Sequence, residues 1–263
     1  FAIQWMKEKP ITLNLIKQMH GALLDGVRGK DRGRGNFRTS QNYSGKPSAP
    51  IEQARYIPPD PLILMEHLSN FEKYFHYDEK DRLVQLAIVH AQFEIMHPFL
   101  DGNGRIGRIL IPLFLCEKKV LHSPMFYISE YLESNRDEYY DKLKAISDER
   151  KWNDWIEFFL KAIIEQAKAN SIKAKSILDL YNKKKARITE ITHSQYAIKI
   201  LDTIFARPIF NTTDFIKHSR IPKPSAMRLL RILHKEGILS TLKEGSGRRA
   251  EVLMFNKLIN IVA

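Results

Sequence analysis

The sequence predicts a mainly α-helical protein that carries a small β-hairpin in its N-terminal half and ends in a short region of helices and strands. Apolar residues recur every three or four positions through most of the first 160 residues, which is the spacing of amphipathic helices. Strands and helices do not alternate regularly, and this argues against a parallel α/β sheet. Apolar residues make up 44% and charged residues 27% of the 263 positions, as is typical of folded globular chains.

The N-terminal region is predicted to be a group of helices interrupted by two irregular segments. The apolar spacing places helices over residues 11–24, 62–75, 83–96, 106–118, 135–146 and 152–167. Residues 26–35 are rich in glycine and basic residues, so we expect a mobile or tightly turned loop there. Residues 41–61 contain five prolines between short extended runs, which is typical of a hairpin or flap over a helical body.

The C-terminal region has a different pattern of elements. A helical spacing leads into a basic stretch, so residues 166–192 are predicted to be a connecting helix and linker between an N-terminal domain (1–165) and a C-terminal domain (193–263). The predicted order within the second domain is helices 193–205, 214–218 and 225–236, then strands 239–243 and 250–255 joined by a turn at 244–247. This order resembles a winged helix-turn-helix domain.

The net charge of +12 lies entirely in the C-terminal part of the chain. Residues 1–160 contain 22 basic and 22 acidic side chains, residues 161–193 contain 8 and 3, and residues 194–263 contain 12 and 5. This division suggests that the second region binds a polyanion, unless the basic surface serves solubility alone. The candidate DNA contacts are Lys223, Arg228 and Arg231 of the third helix and Arg248 and Arg249 after the wing turn. A module that docks a protein or forms a homodimer is the alternative.

Membrane and disulfide-based functions find no support in the sequence. The longest uninterrupted apolar stretch, residues 109–116, is eight residues long and contains Pro112, so it is too short to cross a bilayer. The single cysteine, Cys116, cannot form an intrachain disulfide, which suggests a reducing compartment and therefore a cytoplasmic protein. The sequence starts at Phe1, so any upstream segment is not seen in it.

Residues 97–108, His-Pro-Phe-Leu-Asp-Gly-Asn-Gly-Arg-Ile-Gly-Arg, are the densest group of chemically active residues. Their Gly-Asn-Gly turn lies at the start of a predicted helix, where successive backbone N–H groups and the helix dipole create an anion site suited to phosphate. Arg105 and Arg108 share one face of that helix and can add bidentate donors. Asp101 offers a hard oxygen ligand for a Mg²⁺ carried by the phosphates, and His97 can exchange a proton near neutral pH. The combination predicts displacement at phosphorus.

Three other motifs do not fit the same residues. Residues 102–107 match the pattern G-x-G-x-x-G, but the dinucleotide-binding motif needs a preceding strand and a helix is predicted here. A Walker A loop requires Lys-Ser/Thr after the last glycine, where this sequence has Arg-Ile. An EF-hand loop that began at Asp101 would need Gly and Glu at the positions of Ile106 and Pro112.

A metal site and a purely structural turn are two further alternatives. His90, Glu94 and His97 could line one helix face as metal ligands, but no fourth ligand is evident and the spacing is not H-E-x-x-H. A helix-capping turn with a hydrogen-bonded histidine would account for the bend alone. It would not account for so many functional residue types within twelve positions.

Residues 97–108 resemble the signature of the Fic (filamentation-induced-by-cAMP) domain family, H-P-F-x-[DE]-G-N-G-R-x-x-R, at every defined position. The segments that resemble bacterial Fic proteins with a C-terminal winged helix are residues 23–29, 35–38, 56–59 and 139–140. The resemblance implies a helical Fic core with a small flap hairpin, and the transfer of AMP from ATP to a Ser, Thr or Tyr hydroxyl of a target protein with release of pyrophosphate. Transfer of another phosphate-linked group, removal of AMP, and a nucleotide-sensing DNA-binding regulator remain alternatives.

The resemblance also implies roles for individual residues. His97 would deprotonate the target hydroxyl, and Asp101 would hold Mg²⁺ between the α- and β-phosphates of ATP. The nucleotide-binding set would comprise Phe99, Leu100, Asp101, Gly102, Asn103, Gly104, Arg105 and Arg108, with Gly102 to Gly104 as anion-hole donors and the two arginines on the outer phosphates. The flap residues Gln53, Ala54, Arg55 and Tyr56 would hold the target segment as an added strand. Asn135 and Tyr139 would border the adenosine end.

Some Fic proteins carry an inhibitory helix with the pattern [ST]-x-x-x-E-[GN], whose Glu would pair here with Arg108. Residues 240–245 match this pattern but lie in the predicted wing hairpin, so we expect a chance match. Residues 48–52 match only its first half. The resemblance therefore suggests that such a helix would lie upstream of Phe1 or come from a partner, and that Arg108 is otherwise free to bind a γ-phosphate.

Overall fold

A computed structural model describes residues 2–6, 9–25, 33–45, 50–245 and 250–262 of the chain. The chain divides into two compact units, residues 1–167 and residues 168–263. The division falls within one long helix, and each unit has a hydrophobic core of its own. In the part of the chain that the structure describes, no helix combines the length and apolar character needed to span a membrane.

The described residues of the first unit form helices, one short 3₁₀ turn and one isolated β-bridge. Its helices are α1 (Ala2–Trp5), α2 (Leu13–Leu23), α3 (Pro61–His76), α4 (Arg82–Met96), α5 (Asn103–Glu117), α6 (Ser129–Ser134), α7 (Arg136–Glu149) and the first part of α8 (Trp152–Thr192). Side chains fix three of the N-termini, because Thr12, Asp60 and Asp81 each accept a hydrogen bond from a backbone N–H of the first turn. The sequence predicted these helices to within a few residues, except that it missed the short helices α1 and α6.

The core of the first unit forms where α4 packs against α3 and α5. Phe93 of α4 and Phe114 of α5 are fully buried, as is Trp155 of α8, and burial of such side chains is the main source of stability. The Trp155 indole also donates a hydrogen bond of 2.8 Å to the carbonyl oxygen of Ala87, so its polar atom is satisfied inside the core. Helices α4 and α5, which flank the predicted catalytic turn, are therefore held rigidly.

The predicted flap contains less β-structure than a hairpin would. Within its described residues, Ser44 and Tyr56 form a single antiparallel bridge, and the 3₁₀ helix Ile51–Gln53 lies between them. The prolines of this segment lack the N–H groups that a longer ladder would need, which favours one bridge over paired strands. The expected hairpin is thus corrected to a bridged loop.

The predicted linker is helical throughout. Helix α8 runs from Trp152 to Thr192 without a break and includes the basic residues 183–185. This stretch contains neither Gly nor Pro, and lysine is a good helix former, so nothing in it ends the helix. The connecting helix was predicted correctly, but no separate linker follows it in residues 166–192.

The second unit combines helices with a three-stranded antiparallel sheet of order β1-β3-β2. Its elements after α8 are α9 (Ala197–Ala206), β1 (Ile209–Asn211), α10 (Thr212–Ser219), α11 (Lys223–Lys235), β2 (Ser240–Lys243), β3 (Val252–Met254) and α12 (Asn256–Val262). The sequence predicted three of these helices and both hairpin strands, and it missed β1 and α12. In the sheet, Phe210 pairs with Leu253 and Thr241 pairs with Leu253 from the other side. Assignment of this unit as a winged helix stays a prediction.

The match to an inhibitory helix at residues 240–245 is explained by this sheet. Ser240–Lys243 form strand β2, and Glu244 follows the strand. A strand cannot present the serine and glutamate one helical turn apart, as the inhibitory pattern requires. The match is therefore a coincidence of sequence, as expected.

Candidate active site

The motif 97–108 forms a tight turn between α4 and α5. His97 ends α4 in the left-handed conformation, with φ 47° and ψ 59°. The following Pro98 disfavours continuation of the helix and lacks a backbone N–H, so the chain must leave α4 at this point. Gly102, with φ 83°, then directs the chain into the first turn of α5. The sequence thus places the imidazole directly beside a helix N-terminus.

The side chain of Asn103 closes this turn from inside. Its Oδ1 accepts a hydrogen bond of 2.8 Å from the N–H of Phe99, and its Nδ2 donates one of 2.7 Å to the carbonyl oxygen of the same residue. Asn103 is buried, so both bonds are shielded from water. Only the backbone N–H of Asn103, and not its side chain, is left to face a ligand.

Two further side chains contact the turn from outside. The sequence pattern does not reveal their roles. His20 of α2 contacts the Asp101 carbonyl oxygen through Nε2 at 2.9 Å and accepts a 2.9 Å bond from the N–H of Gly35 at Nδ1. Arg38 is buried and donates a 3.0 Å bond from Nε to the carbonyl oxygen of His97. A buried histidine and a buried arginine are unusual, but sequence spacing alone does not reveal burial of either.

His97 lies in the wall of a cavity in the first unit. Its Nδ1 is 3.4 Å from the carbonyl oxygen of Glu94, and no described residue hydrogen-bonds to Nε2. Burial lowers the pKa of His97, and this effect exceeds the opposite effect of the contact with Glu94. The imidazole is therefore neutral near pH 7, which is the state that a general base requires.

The N-terminus of α5 meets the same cavity at Gly104. The N–H groups of Asn103, Gly104 and Arg105 have no intrahelical acceptor, and none has a partner among the described residues. Gly104 lines the cavity together with His97. Nη2 of Arg105 lies 3.7 Å from Oδ1 of Asp101, whereas Arg108 forms no ion pair with a described residue. These donors can receive an anion.

The cavity has a volume of about 910 Å³, within the range of sites that bind small molecules. Its walls combine the flap loop, the α4–α5 turn and helix α7. The lining residues used below are Gln53, Arg55, Tyr56, Glu94, His97, Gly104, Arg136, Tyr140 and Lys144. Three of the four predicted flap residues thus lie in the wall, and Ala54 does not.

Arg55 connects the flap loop to α7 across this cavity. Its guanidinium lies 4.8 Å from the ring centroid of Tyr140 and 3.0 Å from a carboxylate oxygen of Asp141. Arg136 approaches the Tyr140 ring at 5.8 Å. The guanidinium groups of Arg55 and Arg136 are thus both close enough to the Tyr140 ring for favourable cation–π interactions. Tyr140 and Arg136 were not among the predicted site residues.

Several predicted nucleotide contacts lie away from the cavity, and their role in binding stays a prediction. Phe99 is 0% exposed, and its N–H and carbonyl are both bound by side chains. Tyr139 is 5% exposed, and its hydroxyl lies 3.0 Å from Nε2 of His90. Asn135 bonds to the carbonyl oxygen of Tyr131 and does not line the cavity. Leu100 is 37% exposed, but it too is absent from the cavity wall.

Asp101 suits a Mg²⁺ that a nucleotide brings, but the protein offers no complete metal cage. Its Oδ1 accepts a 2.7 Å bond from the N–H of Gly102, while Oδ2 has no partner among the described residues. No group of three or more potential ligands is found in the described ranges, so the alternative site at His90, Glu94 and His97 is not formed. A single carboxylate is what Mg²⁺ needs when phosphates and water supply the other ligands.

Three of the five basic candidates in the second unit lie on one helix. Lys223, Arg228 and Arg231 are exposed on α11, and Lys235 continues their row. Arg248 and Arg249 lie outside the described residues. The three described candidates form no ion pair with a described acidic residue, so the face of α11 remains positive.

The chain is similar to known proteins in a family signature, in sequence and in fold. Residues 10–115 match the model of the Fic/DOC family. The chain is 31% identical over 102 residues to the Aquifex aeolicus protein named "Probable protein adenylyltransferase aq_aa38", covering 38% of this chain and 32% of that protein. It is 31% identical over 108 residues to protein adenylyltransferase fic-1 of Caenorhabditis elegans, covering 40% of this chain and 19% of that protein. The matched segments thus span a third or less of the length of these two relatives.

The fold has a counterpart among solved structures. A Fic family protein from Desulfovibrio desulfuricans aligns with a TM-score of 0.54 at 16% identity, covering 96% of this chain and 72% of that chain. At this identity the likeness concerns the fold alone. The family match covers α2 to α5 and includes the whole turn between His97 and Arg108. Residues 10–115 of this chain are therefore similar to the Fic/DOC family in sequence, and the chain is similar to a Fic family protein in fold.

Proposed function

We propose that this chain transfers AMP from ATP to a Ser, Thr or Tyr hydroxyl of a target protein and releases pyrophosphate. The observation that carries the proposal is the opening of two complementary groups into one cavity. They are the neutral imidazole of His97 and the first turn of α5 at Gly104, where backbone N–H groups lack intrahelical acceptors. The similarity to proteins named adenylyltransferases supports the same activity.

The reaction is a displacement at the α-phosphorus of ATP. His97 takes the proton of the target hydroxyl at Nε2 while the hydroxyl oxygen forms a bond to that phosphorus. The bond from the α-phosphorus to the bridging oxygen breaks, and pyrophosphate leaves with the bonding electron pair. Because Nδ1 faces the carbonyl oxygen of Glu94, Nδ1 carries the hydrogen of the neutral ring and Nε2 keeps its lone pair.

The other groups of the site bind and orient the substrate. The N–H groups of residues 103–105 and the guanidinium groups of Arg105 and Arg108 would hold the phosphates. Asp101 would hold the Mg²⁺, which supplies neutralisation of phosphate charge when it is bound. The flap residues Gln53, Arg55 and Tyr56 would support the target segment beside the cavity. As in other phosphoryl-type transfers, positioning and charge neutralisation supply most of the catalysis.

The test uses ATP labelled on the α-phosphate, a cell lysate as the source of targets, and the variant His97→Ala. We expect wild type to label one or more proteins and His97→Ala to lose at least about 100-fold of the rate, the size of a general-base contribution. His122→Ala removes an exposed loop histidine and should retain full activity. Normal labelling by His97→Ala would overturn the assignment of the base.

The donor is identified in a separate experiment. Labelled proteins are digested after incubation with ATP, GTP, UTP or CDP-choline, and the mass added to each peptide is measured. Addition of AMP from ATP supports the proposal. Addition of another group, or loss of AMP from a modified protein, would replace AMP transfer by one of the related reactions of the family.

A second function, DNA binding by the C-terminal unit, is favoured by the row of basic residues on α11. Lys223, Arg228 and Arg231 are exposed, lie on a helix that starts after a turn, and have no described acidic partner. Such a row can follow the phosphates of a duplex. The alternative is that this unit docks a protein, and a DNA-binding experiment distinguishes the two.

The DNA test is fluorescence anisotropy of a labelled duplex titrated with the full chain at several salt concentrations. We expect binding that weakens steeply with salt, and a loss of about 10-fold or more when Lys223, Arg228 and Arg231 are all changed to Gln. The control changes Lys199, Arg207 and Lys257, which are exposed basic residues of the same unit outside α11. Equal weakening in both triple variants would indicate a nonspecific charge effect and overturn the assignment to α11.

A further inference from the structure

Glu94 places a carboxyl group in the packed contact between α4 and α5. A Cβ atom added to Gly107 would lie 2.2 Å from its Oε1, closer than any real contact, so a side chain at position 107 would require the Glu94 carboxyl group to move. A Cβ on Gly104 would lie 3.9 Å from Oε2 and 4.0 Å from Oε1. Both glycines of the Gly-x-x-Gly pattern 104–107 therefore leave room for this carboxyl group. The sequence suggests Glu94 only as a candidate metal ligand.

Arg108 approaches the same place from the other side. Its Nη1 lies 3.3 Å from the Cβ position of Gly104, so the carboxyl and the guanidinium both come within 4 Å of that point. Oε1 of Glu94 is shielded from solvent and has no hydrogen-bond partner among the described residues. Two opposite charges thus face each other across Gly104 in the cavity wall, without a direct bond to satisfy the buried oxygen.

The surroundings of Glu94 allow its carboxyl group to gain or lose a proton near neutral pH. Burial raises the pKa of Glu94 to about 7, and the nearby Arg108 only partly offsets this effect. His90 is neutral because burial lowers its pKa to about 3, and Tyr139 is neutral because burial raises its pKa. The remaining titratable groups around the same cavity are His97, Arg55, Tyr56, Arg136, Asp137, Tyr140 and Lys144.

We propose that Glu94 provides the negative charge facing Arg108 in the nucleotide-free site and takes up one proton from solvent when a triphosphate binds there. The inference rests on the proposed function, because it assumes that ATP binds at Gly104 and Arg108. Bound phosphates bring negative charge to the Gly104 side of the cavity and attract the Arg108 guanidinium. An ionised Glu94 would then be a buried charge without compensation, which costs more than binding a proton.

The consequence is a nucleotide affinity that depends on pH. Above pH 7 the free protein holds Glu94 ionised, so each ATP must bind together with a proton. Linkage then requires the Kd for ATP to rise with pH, approaching tenfold per pH unit above pH 8. Glu94 acts through Arg108 and not on the reacting atoms, so it is a positioning residue.

Isothermal titration calorimetry of ATP with Mg²⁺ at pH 8 tests the inference. Titrations in Tris, HEPES and Tricine, whose ionisation enthalpies differ, give the number of protons taken up per ATP. We expect about one proton for wild type and for Glu157→Gln, which changes an exposed glutamate of α8. We expect none for Glu94→Gln, whose Kd at pH 8 should be equal to or lower than that of wild type and independent of pH from 7 to 9.

The outcomes separate this inference from the proposed function. ATP binding without proton uptake in wild type, or unchanged uptake in Glu94→Gln, overturns the inference and leaves AMP transfer in place. A wild-type protein that binds no ATP overturns both. Tryptophan fluorescence of Glu94→Gln, compared with wild type, establishes that the variant is folded before its titration is interpreted.

Discussion

The imidazole of His20 is stacked on the ring of Phe99, with ring centroids 3.8 Å apart and 11° between the planes. Because Gly35 donates its N–H to Nδ1, Nε2 must carry the hydrogen and donate to the carbonyl oxygen of Asp101. One side chain of α2 thus connects Gly35 to the turn between α4 and α5. The turn is held by tertiary contacts and not only by its own glycines.

Replacing His20 by Phe should therefore separate packing from hydrogen bonding. The aromatic ring keeps the stack on Phe99, whereas the N–H of Gly35 and the carbonyl of Asp101 lose their partner. We expect a loss of about 1–3 kcal/mol in the free energy of unfolding, the cost of unsatisfied buried groups, and slower AMP transfer. Urea unfolding followed by tryptophan fluorescence measures this, because all three tryptophans lie in the first unit. His122→Phe should leave stability unchanged, and equal stability of both variants would contradict the expectation.

Two glycines in helices should respond in opposite ways to replacement by alanine. Gly107→Ala places a Cβ atom 2.2 Å from Oε1 of Glu94, so we expect a destabilisation of about 1–3 kcal/mol. At Gly21 the nearest atom would be 3.8 Å away, so Gly21→Ala should be neutral or stabilise by up to about 1 kcal/mol through helix propensity. Urea unfolding checks both values.

A double-mutant cycle tests the cause of the Gly107 effect. If Glu94 is the group that collides, the cost of Gly107→Ala should fall in a Glu94→Ala background, because the larger cavity accepts the methyl group. Additive free energies for the two changes would show that Phe93, whose Cδ1 would be 3.3 Å from the new Cβ, is the obstacle instead.

The contact of Arg55 with α7 should control the mobility of the flap loop more than global stability. Arg55 and Asp141 are 41% and 73% exposed, and exposed ion pairs contribute less than about 1 kcal/mol. In Arg55→Gln we expect faster hydrogen exchange at the backbone amides of residues 44 and 55. These two N–H groups donate hydrogen bonds to the carbonyl oxygens of Tyr56 and Ser44 across the loop. Lys151→Gln, which removes another exposed ion pair, should exchange like wild type there. Unchanged exchange in Arg55→Gln would show that Arg55 does not hold the flap.

Acid should destabilise the first unit partly through His90. Burial lowers the pKa of His90 to about 3, so below pH 6.5 the unfolded chain binds a proton that the folded chain does not. The stability contributed by neutral His90 is therefore present above pH 6.5 and declines as the pH falls toward 3. Between pH 6 and pH 4, wild type should lose up to about 1.4 kcal/mol per pH unit more than His90→Gln. Parallel pH profiles for the two proteins would contradict this.

The sequence alone predicted the features that depend on neighbouring residues. The apolar spacing gave most helices to within a few residues. The His-Pro and Gly-Asn-Gly steps gave a turn that puts His97 beside the start of α5, because only five residues separate the imidazole from that helix. The absence of Gly and Pro around residues 183–185 could have predicted that α8 continues, but the lysine run was interpreted as a linker.

Tertiary structure decided which side of each element meets the cavity. Tyr139 and Tyr140 are adjacent in sequence, yet successive residues on α7 differ by about 100° in direction, so Tyr139 is buried against His90 and Tyr140 lines the cavity. The roles of His20 and Arg38, and the meeting of Glu94 with Arg108 at Gly104, bring together residues from separate elements. Local sequence carries no distance between such elements, because the packing of helices sets it.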